Sequence, residues 1–251
     1  MKMKKFYHEP HEQEKKGIRD TEKKLEKAPK SRYKLNMSIS LEKLQDARNG
    51  QQRALSEEEL LAEDLRYEVI DGIICMMAPP HPSHQDILGE IHFQLKNYFR
   101  NKPCKVYEAP FGLNPTKILA DAGDEKTIEG LENKREQILE PDLTVVCDPT
   151  KFEGVYYKGV PTMIVEIASP STSSRDSGRK KEIYEKMGVN EYWLVLDHHN
   201  VYVYLLKDGK YEQTFYTIPK GSLTLPVASF PDLQVTLDEK EITKFAPWYN
   251  D

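Results

Sequence analysis

The chain has no apolar run approaching the roughly 18 residues that span a bilayer. Its N-terminus lacks the apolar segment of a secretory signal. Both absences point away from a membrane. Cysteine is scarce: Cys75, Cys104 and Cys147 are widely separated among 251 residues. They offer neither a disulfide framework nor zinc-ligand spacing, which points to a reducing cytoplasm. Excess positive charge is missing where a nucleic-acid-binding body would show it. Residues 1–36 carry 12 Lys+Arg against 6 Asp+Glu, leaving 24 against 35 for residues 37–251, a net −11. Such a body does not hold a polyanion through charge alone. It does leave room for an acidic site that gathers a divalent cation.

What remains is a basic, charge-dense tail over 1–36, expected to be disordered or loosely helical, followed by folded character from Met37 onward. Ser56, with Glu59 three residues on, reads as the cap of a short helix over 55–61. Two Asp-Gly dipeptides between apolar runs, Asp71-Gly72 and Asp208-Gly209, predict β-hairpins. Ile87, Leu88, Ile91, Leu95, Tyr98 and Phe99 share one face of a helix over 84–99. Residues 105–107 form a short strand, and the polar stretch 114–139 reads as an excursion or loop. Residues 143–147, 162–168 and 191–196 are core strands, and a helix over 176–187 ends at Gly188. Short β segments at 222–227 and 233–237 close an α/β domain of about 200 residues.

Glu166 breaks the pattern most. It stands inside Met163-Ile164-Val165-Glu166-Ile167-Ala168, and a carboxylate buried in such a strand is costly unless paired or metal-bound. Asp142 opens the strand 143–147. Alone it is a turn residue; beside Glu166 it makes a pair of oxygen donors suited to Mg²⁺. Asp176, Lys180 and Tyr184 are spaced i, i+4, i+8 along one helix face. The plain reading of Asp176 is an N-cap, and that of Lys180 a solvated charge beside Arg179 and Lys181. Lys180 could instead hold a phosphate or orient a water. Glu68 fits an exposed alternating position in the first hairpin, and His84 a packed or capping residue at the head of its helix.

Pro141-Asp142, Glu166 in an apolar strand and then a lysine resemble the PD-(D/E)XK nuclease superfamily. The lysine expected two residues after the acid is Ala168 here; Lys180 stands where a variant moves it to the following helix. More specifically, Arg66 to Gly72, Met76 to Gln85, Glu140-Pro141-Asp142, Val165 to Thr172, Asp176 to Tyr184 and Gly188 to Trp193 resemble the Uma-type restriction endonuclease family over about 54–206. The resemblance implies a restriction-endonuclease-like core, a mixed central β-sheet flanked by helices, here with an extra C-terminal β-hairpin. It implies a catalytic set of Glu68, Asp142, Glu166 and Lys180. Mg²⁺, or Mn²⁺ in its place, would be held by Asp142, Glu166 and the Ile167 carbonyl, with His84 and Tyr184 in support. The activity implied is hydrolysis of DNA to 5′-phosphate fragments, with a homodimer suited to cutting both strands. Two alternatives stay open: a non-catalytic binding module on a nuclease fold, and a metal-dependent hydrolase of RNA or a small phosphodiester.

Overall fold

Asp71 and Gly72, with φ of 54° and 72°, take the left-handed conformations that a two-residue hairpin turn demands. They join β1 (Tyr67–Ile70) to β2 (Ile73–Met76). In the computed structural model, residues 66–133, 135–168, 176–196, 200–217 and 221–238 are described. The 1–36 tail, the Ser56-capped helix and the 169–175 connection lie outside them. Helix α1 (Pro82–Tyr98) begins at Pro82, with His81 as its cap: the His81 ring accepts from the Ser83 N–H. His84 therefore sits inside the first turn and does not cap.

The chain then runs through β3 (Lys105–Glu108), β4 (Gly112–Leu113), α2 (Thr116–Asp121), α3 (Glu125–Glu132) and β5 (Leu143–Val146). Small strands β6 (Phe152–Glu153) and β7 (Tyr156–Tyr157) follow, then β8 (Met163–Ala168). A π-helical turn, Asp176–Lys180, leads into α4 (Lys181–Met187), which Gly188 ends in the left-handed conformation. Strands β9 (Glu191–Leu196), β10 (Asn200–Lys207), β11 (Lys210–Thr217), β12 (Ser222–Pro226) and β13 (Gln234–Asp238) complete the order.

Six strands form the central sheet in the order β11-β10-β9-β8-β5-β3. Only β8 and β9 are parallel, so the chain must cross over between them, and the π turn and α4 make that crossover. Alternation along β8 sorts the two faces. Met163, Val165 and Ile167 pack with α1 and with the β12–β13 hairpin. Ile164 and Ala168 pack with Ile183, Tyr184 and Met187 of the crossover. Glu166 has the parity of the second face, so the strand pleat aims it at α4. The expected mixed sheet flanked by helices is present, as is the C-terminal hairpin. Among the described residues no helix is long and apolar enough to cross a membrane.

Two expectations fail. The polar stretch 114–139 is largely helical, built around fully buried Leu119 and the buried polar residues Asp124, Thr127 and Gln137. These hydrogen-bond to one another and to other elements, so their burial leaves no apolar period to read. Cys104 and Cys147 form a disulfide. The antiparallel register that sets Lys105 opposite Val146 brings the two cysteines opposite each other, which no spacing rule reveals.

Candidate active site

Three acidic residues from separate elements meet around one buried cation, and a fourth stands close by. Glu68 comes from β1, Glu166 from β8, and Asp176 and Lys180 from the π turn. The Lys180 Nζ lies 2.8 Å from Glu68 Oε1, 2.9 Å from Glu166 Oε1 and 3.6 Å from Asp176 Oδ1. Glu68, Glu166, Asp176 and Lys180 are 1%, 3%, 4% and 3% exposed. Glu68 is thus no surface residue, and Lys180 no solvated charge. Asp176 stands inside the π turn and not in front of it, one helical turn from Lys180. The Tyr184 hydroxyl donates to Glu166 Oε1 at 2.6 Å, fixing the orientation of that carboxylate.

Asp142, the fourth acid, lies nearer solvent, just before β5. Its Oδ2 accepts from the Ile167 N–H at 2.7 Å and lies 3.2 Å from His84 Nε2. The Asp142 N–H faces Glu166 Oε2 at 3.4 Å. These contacts tie the start of β5 to the end of β8. A strand residue sends its N–H and its C=O to the same edge, so the Ile167 carbonyl leaves β8 on the side of Asp142. Behind this, Glu68 Oε1 accepts from the Glu140 N–H, and the Glu140 carboxylate holds Arg66 at 3.0 Å. All of the expected site residues line or support one cavity of about 620 Å³. Tyr184 alone is not on its wall; it reaches the site through Glu166.

Electrostatically the cavity is short of positive charge. Six carboxylates line it, against the permanent cations Arg66 and Lys180. Burial pushes the Glu166 carboxyl up to about 8; Lys180 opposes that, but Asp176, Asp142 and Glu68 add to it. Burial works against the Lys180 ammonium, yet Glu166, Glu68 and Asp176 outweigh it and keep the lysine charged, well above its usual value. One ammonium does not neutralise this many acids, so the site has room for a further cation.

Among the described residues, no three His, Cys, Asp or Glu side chains converge tightly enough to form a closed metal cage. The Asp142 carboxylate is held at the Ile167 N–H and the Glu166 carboxylate faces the Asp142 N–H, so the donors on offer at this edge of β8, with the Ile167 carbonyl, are all oxygens. That fits a hard ion such as Mg²⁺, which is commonly held by one or two carboxylates and completed by water and substrate phosphate. Zinc, which prefers His and Cys, is poorly matched.

Arg179 was missed from sequence. It lies deep beside the site, gripping Asp71 and Asp124, and nothing local distinguishes it from the neighbouring basic residues.

A family model described as "Putative restriction endonuclease" matches residues 55–238, a span that includes every residue of this site. Comparison with curated proteins gives no match. Among solved structures, the chain is similar to one described as a "putative nuclease belonging to DUF820" from Anabaena variabilis ATCC 29413. The TM-score is 0.53 at 19% identity, over 75% of this chain and 97% of that one. At that identity the likeness concerns the fold.

Proposed function

We propose, from the premise that this chain belongs to the Uma2 family of restriction-endonuclease type, that it is a metal-dependent endonuclease hydrolysing DNA phosphodiester bonds. One observation carries the reading. Three buried carboxylates from two strands and a helical turn share a single ammonium, at the floor of a cavity whose mouth holds Asp142. Buried acids in such numbers destabilise a fold. Their convergence on one cleft is the mark of a site kept for chemistry.

Asp142 and Glu166, with the Ile167 carbonyl, would hold Mg²⁺ or Mn²⁺. When bound, the ion supplies Lewis acidity, drawing charge off the scissile phosphate. The chain's own residues do the positioning. Ile167 N–H and His84 restrain Asp142. Tyr184 and Lys180 both hold Glu166 Oε1, which leaves Oε2 facing Asp142. Lys180 lines the cavity and places fixed positive charge where negative charge grows on the phosphate. Glu68 keeps that ammonium turned toward the cavity floor and ties it to β1. A polyanion meets an acidic body here, and Asp142 and Glu166, once neutralised by a cation, would repel it less. A homodimer would present two such clefts to a duplex.

The test is a substrate panel: supercoiled plasmid, single-stranded DNA, RNA and a small chromogenic phosphodiester, each with Mg²⁺, Mn²⁺ or EDTA. We expect plasmid nicking or linearisation with either metal and none in EDTA. Cleavage confined to RNA or to the small ester would reject DNA as the substrate. Inactivity of folded protein across the panel would reject hydrolysis altogether.

A further inference from the structure

The lysine of this site sits on a helical turn instead of on the strand beside Glu166, so something other than the sheet must fix its place. The turn that carries it is π-helical, a geometry rare outside single turns at functional sites. Its neighbour Arg179 supplies the external anchor. Arg179 Nε lies 2.9 Å from both Asp71 carboxylate oxygens, and Nη2 2.7 Å from Asp71 Oδ1. On the other side, Nη2 donates to Asp124 Oδ1 at 2.6 Å and Nη1 to Asp124 Oδ2 at 3.2 Å. The planar guanidinium therefore bridges two carboxylates and turns a pair of N–H donors to each, a fixed fork that an ammonium lacks.

Both partners are themselves fixed. Asp71 is the first residue of the β1–β2 turn, and its N–H and carboxylate meet the Gln137 amide. Asp124 is 1% exposed and caps α3 through Thr127. Burial would push the Asp124 carboxyl up, but Arg179 and Lys186 outweigh it and hold it well below the usual range. The hairpin is thus moored to the π turn twice, by Glu68 to Lys180 and by Asp71 to Arg179.

We propose that Arg179, clamped between Asp71 and Asp124, is a positioning residue that sets Lys180 against Glu68 and Glu166. An arginine that only stabilised the fold could be removed, at a cost in stability, without moving the Lys180 ammonium. A positioning arginine could not. The catalytic consequence rests on the nuclease reading; the placement of Lys180 does not.

The experiment has two arms. In the first, a buried and hydrogen-bonded lysine ammonium exchanges its protons slowly enough to give a ¹H–¹⁵Nζ cross-peak, assigned to Lys180 by its loss in Lys180→Arg. We expect that peak in the wild type, displaced or broadened away in Arg179→Met, and partly recovered in Arg179→Lys. In the second, kcat for cleavage falls about 10–100-fold in Arg179→Met, as misplacement on the ångström scale can cause, with KM within about twofold. A folded Arg179→Met whose Lys180 peak is unchanged overturns the proposal, as does a wild type with no such peak. Should Arg179→Met fail to fold, Asp71→Asn is judged by the same peak. Should the wild type cleave nothing, only the proposed activity falls, and the cross-peak decides the clamp by itself.

Discussion

Replacing Lys180 by methionine should remove about 3–5 kcal/mol of stability and abolish cleavage. Methionine matches the aliphatic stem, so little packing is lost. What is lost is the cation between Glu68, Glu166 and Asp176, all almost fully buried. Breaking a buried ion pair from one side leaves uncompensated charge, and losses of that size follow. The pH dependence has a definite sign. Glu166 is already raised from the usual 4.5 to about 8, and Lys180 is the cation that opposes the rise. Without it the folded protein holds the Glu166 proton to still higher pH, while the unfolded chain releases it near the usual value. The folded state then binds more protons, so stability falls as pH rises. Urea unfolding should show a smaller deficit near pH 5.5 than near pH 8.5. A loss below about 1 kcal/mol at pH 8.5 would contradict the ion-pair geometry, since such a loss is typical of exposed pairs.

Glu166→Gln should separate stability from activity. In the wild type, the raised Glu166 implies stability that is fullest below about pH 4.5 and declines as pH climbs toward 8. Glutamine keeps the shape and can still accept from Tyr184 and Lys180, but does not ionise. Near pH 8.5 the variant should be as stable as the wild type or more so, and that part of the pH slope should vanish. Cleavage should nevertheless fall by about 10³-fold, because a neutral amide is a poor partner for a hard cation, and the several kcal/mol a metal supplies convert at about 1.4 kcal/mol per tenfold. Paired unfolding curves and initial rates at pH 6 and 8.5 check both. A variant that is severely destabilised at pH 8.5, or that cuts at the wild-type rate, would show that Glu166 has a structural role only.

Much of this site was legible in the chain. Glu166 announced itself because a strand with both faces covered has no place for an unpaired carboxylate. Asp176, Lys180 and Tyr184 were placed on one face by helical spacing, and the structure turns all three toward Glu166. The Asp-Gly turns located both hairpins, since few residues other than these accept the backbone angles such turns impose.

The parts that were not legible share a physical cause. Helices α2 and α3 are held by the polar residues Asp124, Thr127 and Gln137, whose burial is satisfied by hydrogen bonds and leaves no apolar period. Arg179 looks like its neighbours until Asp71 and Asp124, far away in sequence, are brought beside it. Asp176 reads as a cap in the sequence because Asp is common at that position. Only the tertiary fold shows it facing Lys180. The Cys104–Cys147 pair depended on the register of β3 against β5, which composition does not encode.

The most direct measurement compares wild type and Asp142→Ala on supercoiled plasmid in Mg²⁺. Asp142 is partly buried and its carboxylate accepts from the Ile167 N–H, so alanine there should cost about 1–3 kcal/mol while the protein still folds, which an unfolding curve checks. The account predicts metal-dependent cutting by the wild type and none by the variant. Cutting that survives in Asp142→Ala would contradict it, because the proposed cation would then have lost one of its two carboxylates without effect.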